Sequence, residues 1–213
     1  HVDTAIALAE AGFVVAGINH PADNFFDNTG FGTPRQLVDR VTDLSALVDH
    51  MLNRWRHHFA LDSARVGGFG FSAGGYAVLT AVGGVPLFDR LPAYCATRSS
   101  DPICRAFEPR WSSMKGVQAP PADPRFKAAV LAAPGLGFMF DEAALKRLRV
   151  PMQLWQARDD EILLSPNHVE PLARAMGASA EHHEVSGAGH FAFLAPCPPK
   201  LTELAANVCI DSN

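Results

Sequence analysis

Gly70-Phe71-Ser72-Ala73-Gly74 is a glycine–x–serine–x–glycine stretch, and its flanks give it meaning. Before it runs Arg65-Val66-Gly67-Gly68-Phe69, which with Gly70 and Phe71 reads as a short apolar strand. After it runs Tyr76-Ala77-Val78-Leu79-Thr80-Ala81-Val82, an apolar helix. A serine at a sharp strand-to-helix turn is a nucleophile elbow. Gly70 and Gly74 stand two residues to either side of Ser72, where strand and helix cross closely and a Cβ would clash. The turn holds Oγ clear of the sheet and aims the free N–H groups of the first helical turn at developing negative charge. Ala73 is the candidate oxyanion-hole donor through its N–H.

A serine hydroxyl is a poor nucleophile at neutral pH. It needs a base within reach, and the base needs a carboxylate to fix its tautomer. Both types occur downstream, in the order serine, acid, histidine. Val150-Pro151-Met152-Gln153-Leu154-Trp155-Gln156 reads as a strand and ends in the acidic turn Ala157-Arg158-Asp159-Asp160-Glu161. Asp160 is the expected acid, with Asp159 second and Glu161 third. Glu181–Val185 reads as an edge strand and leads into Ser186-Gly187-Ala188-Gly189-His190-Phe191, a glycine loop ending in the expected base. Neighbouring parallel strands bring two such loops together. His182 and His183 lie mid-strand and read as structural.

The rest of the chain fits one α/β domain over residues 1–213. Residues 1–12 carry helical spacing in Val2, Ala5, Ile6 and Ala9, ended by Gly12. Phe13-Val14-Val15-Ala16-Gly17-Ile18 is a continuous apolar run, as for a strand buried on both faces. The polar loop over residues 19–30 leaves the expected C-terminal edge. In it, His20 and Phe25 are candidate substrate-binding residues, as is Phe71 at the elbow; loop stabilisation is the commoner use of a histidine placed like His20. A long helix runs from Pro34 to about His57, capped by Thr33. From residue 84 to 123 the chain is proline-rich with little periodicity, and is expected to be a lid inserted after the nucleophile helix, with Trp111 and Phe107 either facing substrate or forming its own small core. Strands over Phe126–Ala133 and helices over Asp141–Leu148, Asn167–Met176 and Leu201–Cys209 complete a mostly parallel sheet covered on both faces.

Bulk properties exclude several classes. A net charge of −4 leaves no electrostatic footprint for nucleic acid. No apolar run reaches the ~18 residues that span a bilayer. With no C-x-x-C among the four cysteines, no metal site is expected, and no organic cofactor is implied. The economical pairings are Cys95 with Cys104 and Cys197 with Cys209, implying an oxidising, periplasmic or secreted setting.

The chain resembles the dienelactone-hydrolase-type serine hydrolases of the α/β-hydrolase superfamily. The likeness rests on Gly70-Phe71-Ser72-Ala73-Gly74, Asp160-Glu161-Ile162-Leu163 and Ala188-Gly189-His190-Phe191-Ala192-Phe193-Leu194-Ala195-Pro196-Cys197, with Asn19-His20-Pro21 also fitting. It implies an α/β-hydrolase fold and a hydrolase of small-molecule esters or lactones, often exported by bacteria. Ser72 would be nucleophile, Asp160 orienting acid and His190 base. True dienelactone hydrolases carry cysteine where this chain has Ser72, which favours ordinary carboxylic esters. The family also implies strands before the first helix here, one ending in a His-Gly-rich loop that supplies the second oxyanion donor. That strand would lie between Phe13–Ile18 and the elbow strand. The expectation is therefore that the sequence lacks its N-terminal strands, and that direct pairing of Val14 with Val66 would argue otherwise. Competing expectations are a peptidase or acyltransferase on the same residues, or a catalytically silent binding protein.

Overall fold

A computed structural model describes residues 2–108 and 110–209. Among them, four parallel strands pair in the order β1-β2-β3-β4, which is also their order in the chain. They are β1 (Val66–Phe71), β2 (Phe126–Ala132), β3 (Met152–Ala157) and β4 (Glu181–Val185). Phe71 lies opposite Ala132, Ala132 opposite Trp155, and Ala157 opposite Val185. This register places the exits of β1, β3 and β4 on one edge of the sheet, the C-terminal edge where open α/β sheets build their sites.

The helices are α1 (Val2–Glu10), α2 (Pro34–Asn53), α3 (Ala73–Ala81), α4 (Arg90–Thr97), α5 (Pro102–Phe107), α6 (Glu142–Leu145), α7 (Val169–Met176), α8 (Pro199–Leu204) and α9 (Ala206–Cys209). In α3, every residue from Gly75 to Ala81 is buried. A helix apolar on all sides needs cover on all sides, and α3 has it from β1 and β2 on one side and α2 on another. In contrast, α2 is amphipathic and buries Leu37, Val41 and Val48. Its start is set by Thr33, whose hydroxyl accepts the Gln36 N–H at 3.3 Å, with Pro34 in the first turn.

The glycines of the elbow divide unequally. A Cβ on Gly70 would land on the Gly74 carbonyl, and one on Gly75 would meet Pro134 Cα at 2.9 Å. Gly74 has open space where its Cβ would sit, so the close approach expected of it belongs to Gly75.

Residues 84–123 are more ordered than their sequence pattern implies. They contain α4 and α5, joined by the Cys95–Cys104 disulfide, and the Tyr94 hydroxyl donates to Asp101 at 2.6 Å. Phe88, Leu91, Phe107 and Met114 are buried in one cluster with Leu79 and Leu131. Phe107 therefore packs into the shared core, 5.7 Å from the Phe31 ring, and not into a separate one. The Trp111 side chain lies outside the described residues.

The apolar run at Phe13–Ile18 forms no strand. Phe13 and Val14 are 57% and 52% exposed, against an expectation of burial on both faces. An apolar run states a preference for burial, whereas a strand exists only where a neighbour supplies donors and acceptors. Val14 and Val66 are not paired, and β1 is an edge of the described sheet. Other differences concern boundaries. Helix α2 stops at Asn53, leaving His57 and His58 at a separate tight turn over His58–Ala60. The expected last helix divides at Ala205 into α8 and α9, tied back by the Cys197–Cys209 disulfide.

Candidate active site

Ser72 sits between β1 and α3 with φ 54° and ψ −118°, a conformation that L-residues rarely adopt. Three backbone hydrogen bonds hold it. Its N–H donates to Ala132 O at 3.0 Å, and its carbonyl accepts from the Gly135 and Tyr76 N–H groups, each at 3.1 Å. Side-chain Oγ is left facing the sheet edge, 3.0 Å from His190 Nε2. Ala73 is the first residue of α3, so its N–H has no acceptor within the helix.

His190 opens a short 3₁₀ turn, His190–Phe193, five residues beyond β4, and its side chain is 3% exposed. Its Nδ1 lies 2.7 Å from Asp160 Oδ2. An ionised carboxylate only accepts, so this bond places the proton on Nδ1 and leaves Nε2 to accept from the Ser72 hydroxyl. Asp160 is itself buried. Burial pushes its carboxyl up, but the hydrogen bond and charge of His190, with the Leu163 and Ile162 amides, outweigh this and hold it below the usual value. Those amides donate to Asp160 Oδ1 at 2.6 and 2.9 Å. The Phe71 ring lies 4.8 Å from the imidazole, and Phe191 and Phe193 lie 6.5 and 6.4 Å from Phe71, forming an aromatic wall. Such a line of hydroxyl, imidazole and carboxylate can move one proton off the serine and return it.

The other two acids of the turn also touch the histidine loop. Asp159 accepts the Gly187 N–H at 2.9 Å, and Glu161 accepts the His190 backbone N–H at 3.1 Å. His168, overlooked in the sequence, is fully buried behind the elbow. Its Nδ1 accepts the Leu136 N–H at 3.0 Å, in the loop that also supplies Gly135 to Ser72. Burial drives this imidazole down to about 4, against smaller upward pulls from Asp101 and Asp160. Nothing in local periodicity marks such a residue.

His20 bonds through Nδ1 to Asp43 at 2.8 Å, and its carbonyl accepts from Asn24, so it braces its own loop against α2. It lines a cavity of about 10 Å³ with Asp23, Gln36 and Arg40. Phe25 is 92% exposed, edge-on to Phe26. His182 bonds Gln156 at 3.1 Å, and His183 stacks on Trp155 at 4.1 Å. Among the described residues, no group of three or more His, Cys, Asp or Glu side chains is placed to hold a metal ion, and no helix is long and apolar enough to cross a membrane.

Residues 7–198 match the sequence model of the alpha/beta hydrolase family. The chain belongs to that family. No curated protein matches this α/β-hydrolase in sequence. Among solved structures, it is similar to an alpha/beta hydrolase from a Medee basin deep-sea metagenome library, at 15% identity and a TM-score of 0.47, over 99% of this chain and 69% of that one. It is also similar to puromycin hydrolase, at 16% identity and a TM-score of 0.43, over 74% of this chain and 23% of that one. A third is the acetyl ester-xyloside bifunctional hydrolase of Caldicellulosiruptor lactoaceticus, at 17% identity and a TM-score of 0.37, over 74% of this chain and 57% of that one. This α/β-hydrolase thus spans about a quarter of the length of puromycin hydrolase.

Proposed function

We propose that this α/β-hydrolase is a serine esterase for small carboxylic esters, of dienelactone-hydrolase type but with serine as nucleophile. The observation that carries the reading is the continuous hydrogen-bonded line from Ser72 Oγ through His190 to Asp160, at an elbow whose φ is 54°. Ser72 Oγ attacks the acyl carbon while His190 Nε2 takes its proton. The oxyanion that forms is met by the Ala73 N–H. Collapse breaks the ester C–O bond, and His190 returns the proton to the leaving alcohol. Water then attacks the acyl-enzyme, giving its proton to His190, and the acid leaves as the Ser72 hydroxyl is restored. Asp160 stays ionised throughout and orients the ring. Phe71, beside the imidazole, gives the acyl group an apolar wall. Residues 84–123 act as the lid over this edge. The Cys95–Cys104 and Cys197–Cys209 disulfides favour an oxidising, periplasmic or secreted setting.

Intact-mass labelling with a fluorophosphonate tests the reading. One adduct on the wild type, absent from Ser72→Ala, is the expected result, followed by turnover of a p-nitrophenyl ester series. Folded wild type that takes up no adduct overturns the reading. Turnover confined to p-nitroanilides moves the activity to peptides.

A further inference from the structure

The chain that carries His190 has little stiffness of its own. Ser186-Gly187-Ala188-Gly189 precedes it, with Gly187 at φ 69°, and glycine carries the largest backbone freedom of any residue. The imidazole must nevertheless stay within hydrogen-bond reach of Ser72 on one side and Asp160 on the other. A ring bond to Asp160 fixes the tip of the side chain and leaves the backbone behind it free to shift.

His190 is also the first residue of its 3₁₀ turn, so its backbone N–H has no acceptor within that turn. The Glu161 carboxylate fills this role from outside, at 3.1 Å. Glu161 directly follows Asp160, so two adjacent residues grip the same histidine, one by its ring and one by its main chain. Asp160 is anchored in turn by the Ile162 and Leu163 amides, which gives the grip a rigid base. Upstream, Asp159 Oδ2 accepts the Gly187 N–H, and its own N–H donates to Ala188 O at 3.0 Å. Glu161 is solvent-exposed, so a structural core role does not account for it.

We propose that Glu161 is a positioning residue: by accepting the His190 backbone N–H, it holds the imidazole in the attack geometry. This rests on the serine-hydrolase reading above. The role is an acceptor's, so an uncharged acceptor of the same length serves, while a truncated side chain does not.

The test compares wild type, Glu161→Gln and Glu161→Ala by the rate of fluorophosphonate labelling at Ser72, by kcat and KM on a p-nitrophenyl ester, and by thermal melting. Loss of one hydrogen bond predicts labelling and kcat about tenfold lower in Glu161→Ala. KM and melting temperature should stay near wild type, and Glu161→Gln should recover most of the rate. A Glu161→Ala protein as fast as wild type overturns the proposal. So does an equal loss in Glu161→Gln, which assigns the effect to charge, or a kcat loss that only follows a lowered melting temperature. Failure of the wild type to label sinks the serine-hydrolase reading itself, a distinct outcome.

Discussion

Ser72 holds its place at the strand-to-helix turn at a cost. A non-glycine residue at φ 54° stores about 1–3 kcal/mol, offset by the hydrogen bonds that its backbone makes to Ala132, Gly135 and Tyr76. At the same scale, three consecutive acids do three different things. Asp159 meets Gly187, Asp160 meets the His190 ring, and Glu161 meets the His190 main chain. This separates them by experiment. Asp160→Asn keeps the shape but favours the wrong imidazole tautomer, so kcat on an ester should fall about 10³–10⁴-fold. Asp159→Asn should lower it less than about tenfold, because Asp159 meets the exposed loop at Gly187 and not the imidazole ring. Steady-state kinetics on the two variants checks the ranking, and a larger loss in Asp159→Asn would make Asp159 the orienting acid.

At the scale of elements, the elbow is a close crossing of β1, α3 and the loop after β2. Only some of its glycines are needed for that crossing. Gly70→Ala should fail to give soluble protein or melt far below wild type, since its Cβ falls on the Gly74 carbonyl. Gly74→Ala meets nothing and lies in α3, so it should melt at or slightly above wild type by the ordinary alanine preference of helices. A differential-scanning comparison reverses this account if Gly74→Ala is the worse of the two. The Cys95–Cys104 bridge ties α4 to α5 across nine positions. Replacing both cysteines with serine should lower unfolding free energy in urea by about 2–3 kcal/mol, as expected for a closed loop of that length. Both short helices were invisible to periodicity because neither exceeds about two turns; their cohesion comes from the bridge and from Tyr94 on Asp101.

For the whole molecule, acid should act in two stages. Buried His168 titrates near 4 in the folded protein and near 6.5 when exposed, so the unfolded chain binds the extra proton between these values. Stability is full above about pH 6.5 and falls as pH drops toward 4, by about 3 kcal/mol in all. Asp101, Asp160 and Glu170 pull the imidazole the other way, and His190 adds to the depression, so the loss measured is the net of these. The second stage belongs to the carboxyls held below their usual values, Asp160 beside His190 and Asp123. For Asp123, the hydrogen bond to Arg125 outweighs burial and holds the carboxyl down to about 2. That contribution is present above about pH 4 and is lost as pH falls through 2. Arg125 also reaches Asp49 and the Ser45 carbonyl, at 3.1 Å for the latter, so this stage loosens the join of α2 to the start of β2. Melting temperature against pH should show both slopes, and His168→Asn should flatten the first alone. An unchanged first slope in that variant would remove His168 as its cause.

What the sequence by itself determined were features written in short windows: the elbow around Ser72, the acidic turn, the glycine loop before His190, and the alternation of strand and helix. Each depends on steric rules that act over a few residues. From β1 onward the strands, the turn at Ser72 and the turn at His190 lie where these windows put them, while the strand expected at Phe13–Ile18 is absent and the last helix divides. Only the tertiary structure decided what each group meets. It separated Gly75 from Gly74, gave Glu161 the His190 amide, buried His168 behind Leu136, and left Phe13–Ile18 unpaired despite its apolar pattern. The reason is physical. A hydrogen-bond partner or a packing neighbour dozens of residues away leaves no trace in local periodicity, and a strand is a property of two segments, not of one.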